Sequence, residues 1–179
     1  MILVTRKTSA THVAKDFTKI DISEDLLLLF HNKAVEKWPK EFCLALYGQV
    51  QGKQIIVSDV FEPRYINDRY GWKLADKDAW KEIKTYAKER NSLFLGFMHS
   101  HPSFLGNFYP TQLILSGRDY FWMIRGRETL RGIVAITSNL QRSYTIFWTV
   151  NKPIPLLVNG KGYVVEIRSR KEDSEIIYW

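Results

Sequence analysis

The stretch "LFLGFMHSH", residues 93 to 101, is nearly all apolar until it reaches two histidines. A short apolar run of this kind reads as a central strand buried on both faces. "GIVAITSN" (132 to 139) reads the same way. "EFCLALYGQV" and "KQIIVSDVFE" flank Gln51-Gly52 and read as a β-hairpin. "DFTKIDIS" (16 to 23) alternates weakly, as an entry strand would, and "YTIFWTV" and "GYVVEIRS" read as closing strands.

Helical signals lie between these strands. Ser23 is placed as an N-cap, with Glu24 and Asp25 in the first turn of "LLLLFHNKAVEKW", and Pro39 stops that helix. "DKDAWKEIKTYAKER" sets Ala79, Trp80, Ile83, Tyr86 and Ala87 on one helical face. A further helix is expected around Ser116 to Arg125, and "PRYINDRYGWKLA" reads as a long loop. The class is α/β: a mixed, largely antiparallel sheet flanked by helices. At 179 residues the chain reads as a single domain.

The sole cysteine, Cys43, excludes an internal disulfide and any multi-cysteine zinc cluster, and suits a reducing cytosol. No apolar run nears the ~18 residues of a membrane span. The opening "MILVTRKTSATHVAK" lacks the features of a signal peptide. A soluble, cytoplasmic protein is expected. The net charge of +7 admits a nucleic-acid partner. Its densest basic patch, "IRSRK" (167 to 171), runs straight into acidic residues, and no recognition-helix or stacking pattern accompanies it. Cations scattered over solvated faces are the expectation, with no specific nucleic acid and no membrane.

His99 and His101 are two residues apart. On a strand they share a face, with Cα atoms ~6–7 Å apart. Two imidazoles so placed suit one metal ion, and a catalytic zinc site needs a third ligand plus a water. Asp119 supplies that ligand, and Ser116, three residues earlier, shares its helical face. Glu41, at the head of an apolar strand, is the candidate general base; Asp59 and Glu62 on the partner strand are rivals. Each signal also has an ordinary reading. An H-x-H pair can be incidental, an S-x-x-D can be a helix cap, and a glutamate opening a strand can be solvated.

The set and its order resemble the signature of the JAMM (MPN+, JAB domain) zinc metalloproteases, E…H-[ST]-H-P…S-x-x-D. Here it reads Glu41, "HSHP" (99 to 102) and "LSGRD" (115 to 119). The likeness spans about residues 24 to 150; residues 151 to 179 form an extension that would add strands, cover the cleft or meet a partner. The spacing departs from the family: Pro102 to Leu115 makes fourteen residues, about twice the usual number. A second register gives the serine role to Thr111 and the aspartate position to Ile114, which binds no metal. The Ser116/Asp119 register is preferred because it keeps the carboxylate. The added loop carries Phe104, Phe108 and Tyr109, a lid or partner contact if not an ordinary apolar anchor.

The resemblance implies an MPN/JAB, cytidine-deaminase-like fold and one catalytic Zn²⁺ held by His99, His101 and Asp119. It gives Glu41 the general-base role and Ser116 that of oxyanion donor. Ser100 faces the other side of the strand. The implied reaction is hydrolysis of the peptide or isopeptide bond after the tail of ubiquitin or a ubiquitin-like protein. A homo- or heterodimer is admitted. The alternative is a metal-free MPN scaffold, and a basic nucleic-acid-binding domain is a more distant third.

Overall fold

Residues 43–47 are buried throughout, and their side chains divide by parity in the computed structural model of the chain. Leu44 and Leu46 join one apolar cluster; Cys43, Ala45 and Tyr47 join another on the opposite face. That is the two-residue period of a strand covered on both sides. The structure describes residues 17–68, 71–103, 110–126, 128–150, 152–157, 162–169 and 174–179.

In chain order the first elements are β1 (Lys19–Ile22), α1 (Glu24–Lys37), β2 (Cys43–Gln51), β3 (Gln54–Phe61), β4 (Tyr65–Asp68), β5 (Gly71–Leu74) and α2 (Lys77–Glu89). Then come β6 (Leu93–Pro102), a 3-10 turn (Pro110–Leu113), α3 (Gly117–Gly126), β7 (Leu130–Ile136) and β8 (Arg142–Trp148). The last are β9 (Pro153–Ile154), β10 (Leu156–Leu157), β11 (Val164–Ser169) and β12 (Ser174–Tyr178). Among the described residues ten strands form one sheet, ordered β10-β1-β3-β2-β6-β7-β8-β11-β12, with β9 on β8. β1 runs parallel to β3 and β10, and β6 runs parallel to β7. The other pairings are antiparallel. The fold is therefore mixed α/β, with a mostly antiparallel sheet flanked by helices.

α1 starts where the sequence places it, with the Ser23 hydroxyl accepting the Leu26 N–H at 3.3 Å. Its stripe Leu27, Phe30, His31 and Ala34 is buried, and the three apolar members join the larger cluster. α2 is capped by Asp76 and buries Ala79 and Ile83 on the opposite side of the sheet. A bulge in β6 serves the same division. Leu46 pairs with Gly96 and Tyr47 with Phe94, so Leu95 has no partner on β2. The extra residue turns Phe94 to the face of Phe97 and sends Leu95 to the face of Met98. Gly96 has φ +150°, and a Cβ there would lie 1.7 Å from the Leu130 carbonyl oxygen. Only glycine lets β7 approach so closely.

One expectation is corrected. "PRYINDRYGWKLA" is not simply a loop: it holds β4 and β5, an antiparallel hairpin separate from the main sheet. Its strands are four residues each and largely exposed, so they lack the apolar alternation that marks longer strands. The stretch after residue 150 adds strands at both ends of the sheet. β10 lies against β1, and β11 and β12 follow β8. The loop bearing Phe104, Phe108 and Tyr109, and the opening residues 1–16, lie outside the described residues. Among the described residues no helix is long and apolar enough to cross a membrane.

His31 ties α1 to the sheet. Its ring nitrogens meet the Ser143 hydroxyl at 2.7 Å and the Ser169 hydroxyl at 2.6 Å. Burial lowers its pKa below the ordinary 6.5. The unfolded chain thus binds the proton at a higher pH than the folded chain, and stability falls as pH falls through the window just below 6.5. Urea unfolding at pH 7 and at successively lower pH should show that slope. His31→Gln should make it shallower, leaving the part due to other buried histidines; an unchanged slope would refute the assignment.

Candidate metal centre

A parallel partner cannot be reached by a tight turn, so the chain between β6 and β7 must cross a sheet face. That crossover carries α3. The end of β6 where it arrives is the carboxyl end. His99 and His101 lie there, on the face they share with Phe97. His99 is 1% exposed, opposite Cys43 of β2 and Ile133 of β7. Ser100, between them, points the other way, and its hydroxyl accepts the Phe42 N–H at 3.0 Å.

The S-x-x-D motif is a capping box. Ser116 sits just before α3, and its hydroxyl accepts the Asp119 N–H at 3.1 Å. Asp119 Oδ2 accepts the Ser116 N–H at 3.0 Å and the Ser116 hydroxyl at 2.6 Å. The ordinary reading of the motif thus holds, but Asp119 does more than cap. It is 6% exposed, its Oδ1 lies 3.1 Å from His99 Nε2, and its Oδ2 lies 3.6 Å from His101 Nε2. The two Nε2 atoms are 3.0 Å apart. Donor atoms of these three side chains all fall within 4.8 Å of one another.

Two lone pairs cannot face each other at 3.0 Å without a proton or a cation between them. His101 Nδ1–H donates to the Gln112 carbonyl at 2.7 Å, which commits that nitrogen and leaves Nε2 to face Asp119 and His99. His99 Nδ1 is buried with no partner among the described residues. Burial lowers the His99 pKa. Burial also pulls on His101, but the hydrogen bond and charge of Asp119, the charge of Glu41 and the Gln112 carbonyl outweigh it and raise the value. Burial would raise Asp119; the charge and hydrogen bonds of His99 and His101, with that of Ser116, hold it well below the carboxylate range. The carboxylate is therefore ionised, and a hydrogen on one of the two facing Nε2 atoms satisfies the short contact between the imidazoles. Two histidines and one carboxylate that converge in this way can hold a metal ion.

Glu41 lies two residues before β2 and lines the same cavity as the cluster, about 880 Å³ in volume. Its position is set from three directions. Its Oε2 accepts the Trp72 N–H at 3.1 Å, and its carbonyl accepts from the Asn67 side chain at 3.0 Å. The next residue, Phe42, is tied to Ser100. Gly71 has φ +107°, and a Cβ there would stand 2.5 Å from Glu41 Oε2, so a bare backbone lets β5 lie against the carboxylate. The hairpin read as loop is thus what holds the candidate base. The rivals are engaged elsewhere: Asp59 with Tyr86 and Arg90, and Glu62 with Lys33. Ile114 is 53% exposed, and the side chain of Thr111 is outside the described part of the chain.

Sequence reasoning missed a buried ion pair beside the cluster. Arg131 on β7 is 1% exposed and its Nε donates to Glu128 Oε2 at 2.9 Å. Its Nη1 lies 3.5 Å from Asp119 Oδ1. The guanidinium lies beside two neighbouring rings, 5.4 Å from the Trp72 centroid and 5.6 Å from that of Phe97. The signal was available in "ETLRGIVAI": a charge inside a fully buried strand needs a partner, and Glu128 is three residues away.

No family model matches the chain, and no curated protein matches it. Solved structures do. The solution structure of protein DSY2949 from Desulfitobacterium hafniense matches with a TM-score of 0.46 at 15% identity, covering 89% of this chain and 90% of that one. The crystal structure of AF2198, a JAB1/MPN domain protein from Archaeoglobus fulgidus, matches with a TM-score of 0.45 at 18% identity, covering 78% and 95%. At these values neither likeness assigns a family or an activity.

Removing one member of a buried pair strands the other charge. Arg131→Met should lower the unfolding free energy by about 3–5 kcal/mol, and adding Glu128→Leu should restore much of it. Urea unfolding of the single and double variants checks this. A loss below about 1 kcal/mol in the single variant would place the pair in a wetter setting than its burial indicates.

Proposed function

We propose that this chain is a JAMM-type zinc hydrolase. It cleaves the peptide or isopeptide bond after the C-terminal tail of ubiquitin or a ubiquitin-like protein. The observation that carries the reading is the convergence of His99, His101 and Asp119 at the end of β6, with Glu41 in the same cavity. Two imidazoles and a carboxylate suit a divalent transition metal, and the choice of zinc among these rests on the resemblance to the family signature. The choice of bond and modifier rests on the resemblance of "HSHP", "LSGRD" and Glu41 to the family signature. A cytoplasmic setting goes with this reading, since Cys43 is free and buried.

In this mechanism His99 Nε2, His101 Nε2 and Asp119 would hold the metal, which when bound would supply an acidified water and Lewis-acid polarisation of a carbonyl. The Gln112 carbonyl keeps the His101 ring in its tautomer, and Ser116 keeps Asp119 aimed. The Glu41 carboxylate, steadied by the Trp72 N–H, takes a proton from water and returns it to the leaving amine. The Ser116 hydroxyl, which donates to Asp119 at 2.6 Å, would turn from that carboxylate to the developing oxyanion; loss of such a donor costs about 10²–10³ in rate.

Metal analysis of the purified chain should find one zinc per chain, and Asp119→Ala should lose it. A folded chain that takes up no zinc would leave the metal-free scaffold as the reading; normal zinc in Asp119→Ala would return the ligand assignment to the other register. Glu41→Gln should keep the metal and lower cleavage of a ubiquitin-like conjugate by about 10²–10⁴-fold. Undiminished cleavage by that variant would remove Glu41 from the chemistry.

A further inference from the structure

Two helices present the same pattern to one cavity. On α2, Lys77, Trp80 and Lys84 line it at i, i+3 and i+7; on α3, Arg118, Trp122 and Arg125 line it at i, i+4 and i+7. Those spacings put each triplet on one face of its helix. Each stripe is a tryptophan between two cations, and the metal centre lies in the same cavity. Its volume of about 880 Å³ is within the range of ligand sites.

Outside the cavity lining, Lys81 on α2 is set against Asp78 at 2.8 Å. Among the described residues Lys77, Lys84 and Arg125 make no such pair. Arg125 lies over the Phe121 ring at 5.8 Å, and Arg118 reaches Asp68 at 3.3 Å and the Trp72 carbonyl at 3.1 Å. Trp122 is 48% exposed, beside Phe121 at 51%. Large apolar rings left in water among uncompensated cations mark a surface built for contact.

We propose that this groove selects an extended polypeptide carrying Asp or Glu side chains near the bond presented to the metal centre, with apolar neighbours seated on Trp80 and Trp122. The inference deepens the hydrolase reading and rests on it for the position of the bond. A single-stranded nucleic acid would also find rings and cations here. The cavity, however, is lined as well by Glu41, Asp76, Asp119 and Glu128. The lining thus carries both signs, which a peptide with charges at intervals matches better than a continuous run of phosphates does.

The test measures binding by the full chain bearing Glu41→Gln, by fluorescence anisotropy. One labelled peptide carries Glu on both sides of a central Leu-Gly pair. Its twin has Lys for every Glu, and a third probe is a mixed-sequence single-stranded oligonucleotide. The acidic peptide should bind at least about tenfold more tightly than its twin, and the difference should shrink with added salt. Lys84→Glu with Arg125→Glu should reverse the preference, and Lys81→Glu should leave it intact. Circular dichroism verifies that each variant is folded. Equal binding of the twins, an unreversed preference in the double variant, or tighter binding of the oligonucleotide overturns the proposal. Zinc content and cleavage are read separately on the parent chain. Charge-selective binding without zinc keeps this inference and removes the hydrolase reading; zinc-dependent cleavage without charge selectivity does the opposite.

Discussion

β6 has an antiparallel neighbour on one side and a parallel one on the other, and the parallel one dictates the site. To enter β7 in the same direction as β6, the chain must leave the sheet, cross a face and return. It lands α3 over the carboxyl end of β6, where the two histidines stand. Asp119 comes from the crossover, Arg131 from the strand that follows it, and Glu41 from the lead into β2, the other neighbour of β6. Every charged group at the site is thus delivered by β6 or by a segment joined to its neighbours. The tight closure of β6 on β7 depends in turn on Gly96, where any side chain would strike the Leu130 carbonyl.

The buried charges at this place alternate in sign. Glu128 meets Arg131, Arg131 meets Asp119, and Asp119 meets the imidazole pair. Charges taken out of water are tolerable only in such an order. Glu41 is a further carboxylate lining the same cavity. Arg131 also keeps Asp119 from standing alone beside Glu128, whose own pKa is raised by its burial. The ion pair that sequence reasoning missed is part of what lets the Asp119 carboxylate lie this deep.

What the sequence showed, it showed through local period and punctuation. The buried strands, the cap at Ser23 and the common face of His99 and His101 are all short-range facts, and they are legible for that reason. The hairpin β4–β5 was not, because its strands are short and exposed and what it holds, Glu41, is about thirty residues earlier in the chain. Trp80 was read correctly as belonging to the apolar face of α2, but that face ends at a cavity as well as at the core. The S-x-x-D motif showed most plainly what sequence leaves open. Cap and metal ligand looked like rival readings of Asp119, whereas one oxygen caps α3 and the other faces His99.

That double use also accounts for the long interval between His101 and Ser116. If Asp119 were placed by counting residues from the histidines, doubling the interval would carry it away. It is placed instead by where α3 begins, because the capping box reaches only from Ser116 to Asp119 and travels with the helix. The start of the helix is held to the sheet independently of the interval. The Gln112 carbonyl accepts from His101 Nδ1 at 2.7 Å, the Leu113 carbonyl accepts from Trp148 Nε1 at 2.8 Å, and Leu113 packs with Ile133 and Ala135. The added residues lie upstream of these anchors, and lengthening a connection whose ends are fixed costs little, about 0.6 kcal/mol per doubling. The anchor that steadies the His101 imidazole is therefore the same one that fixes where α3 begins, whatever the length of the chain before it.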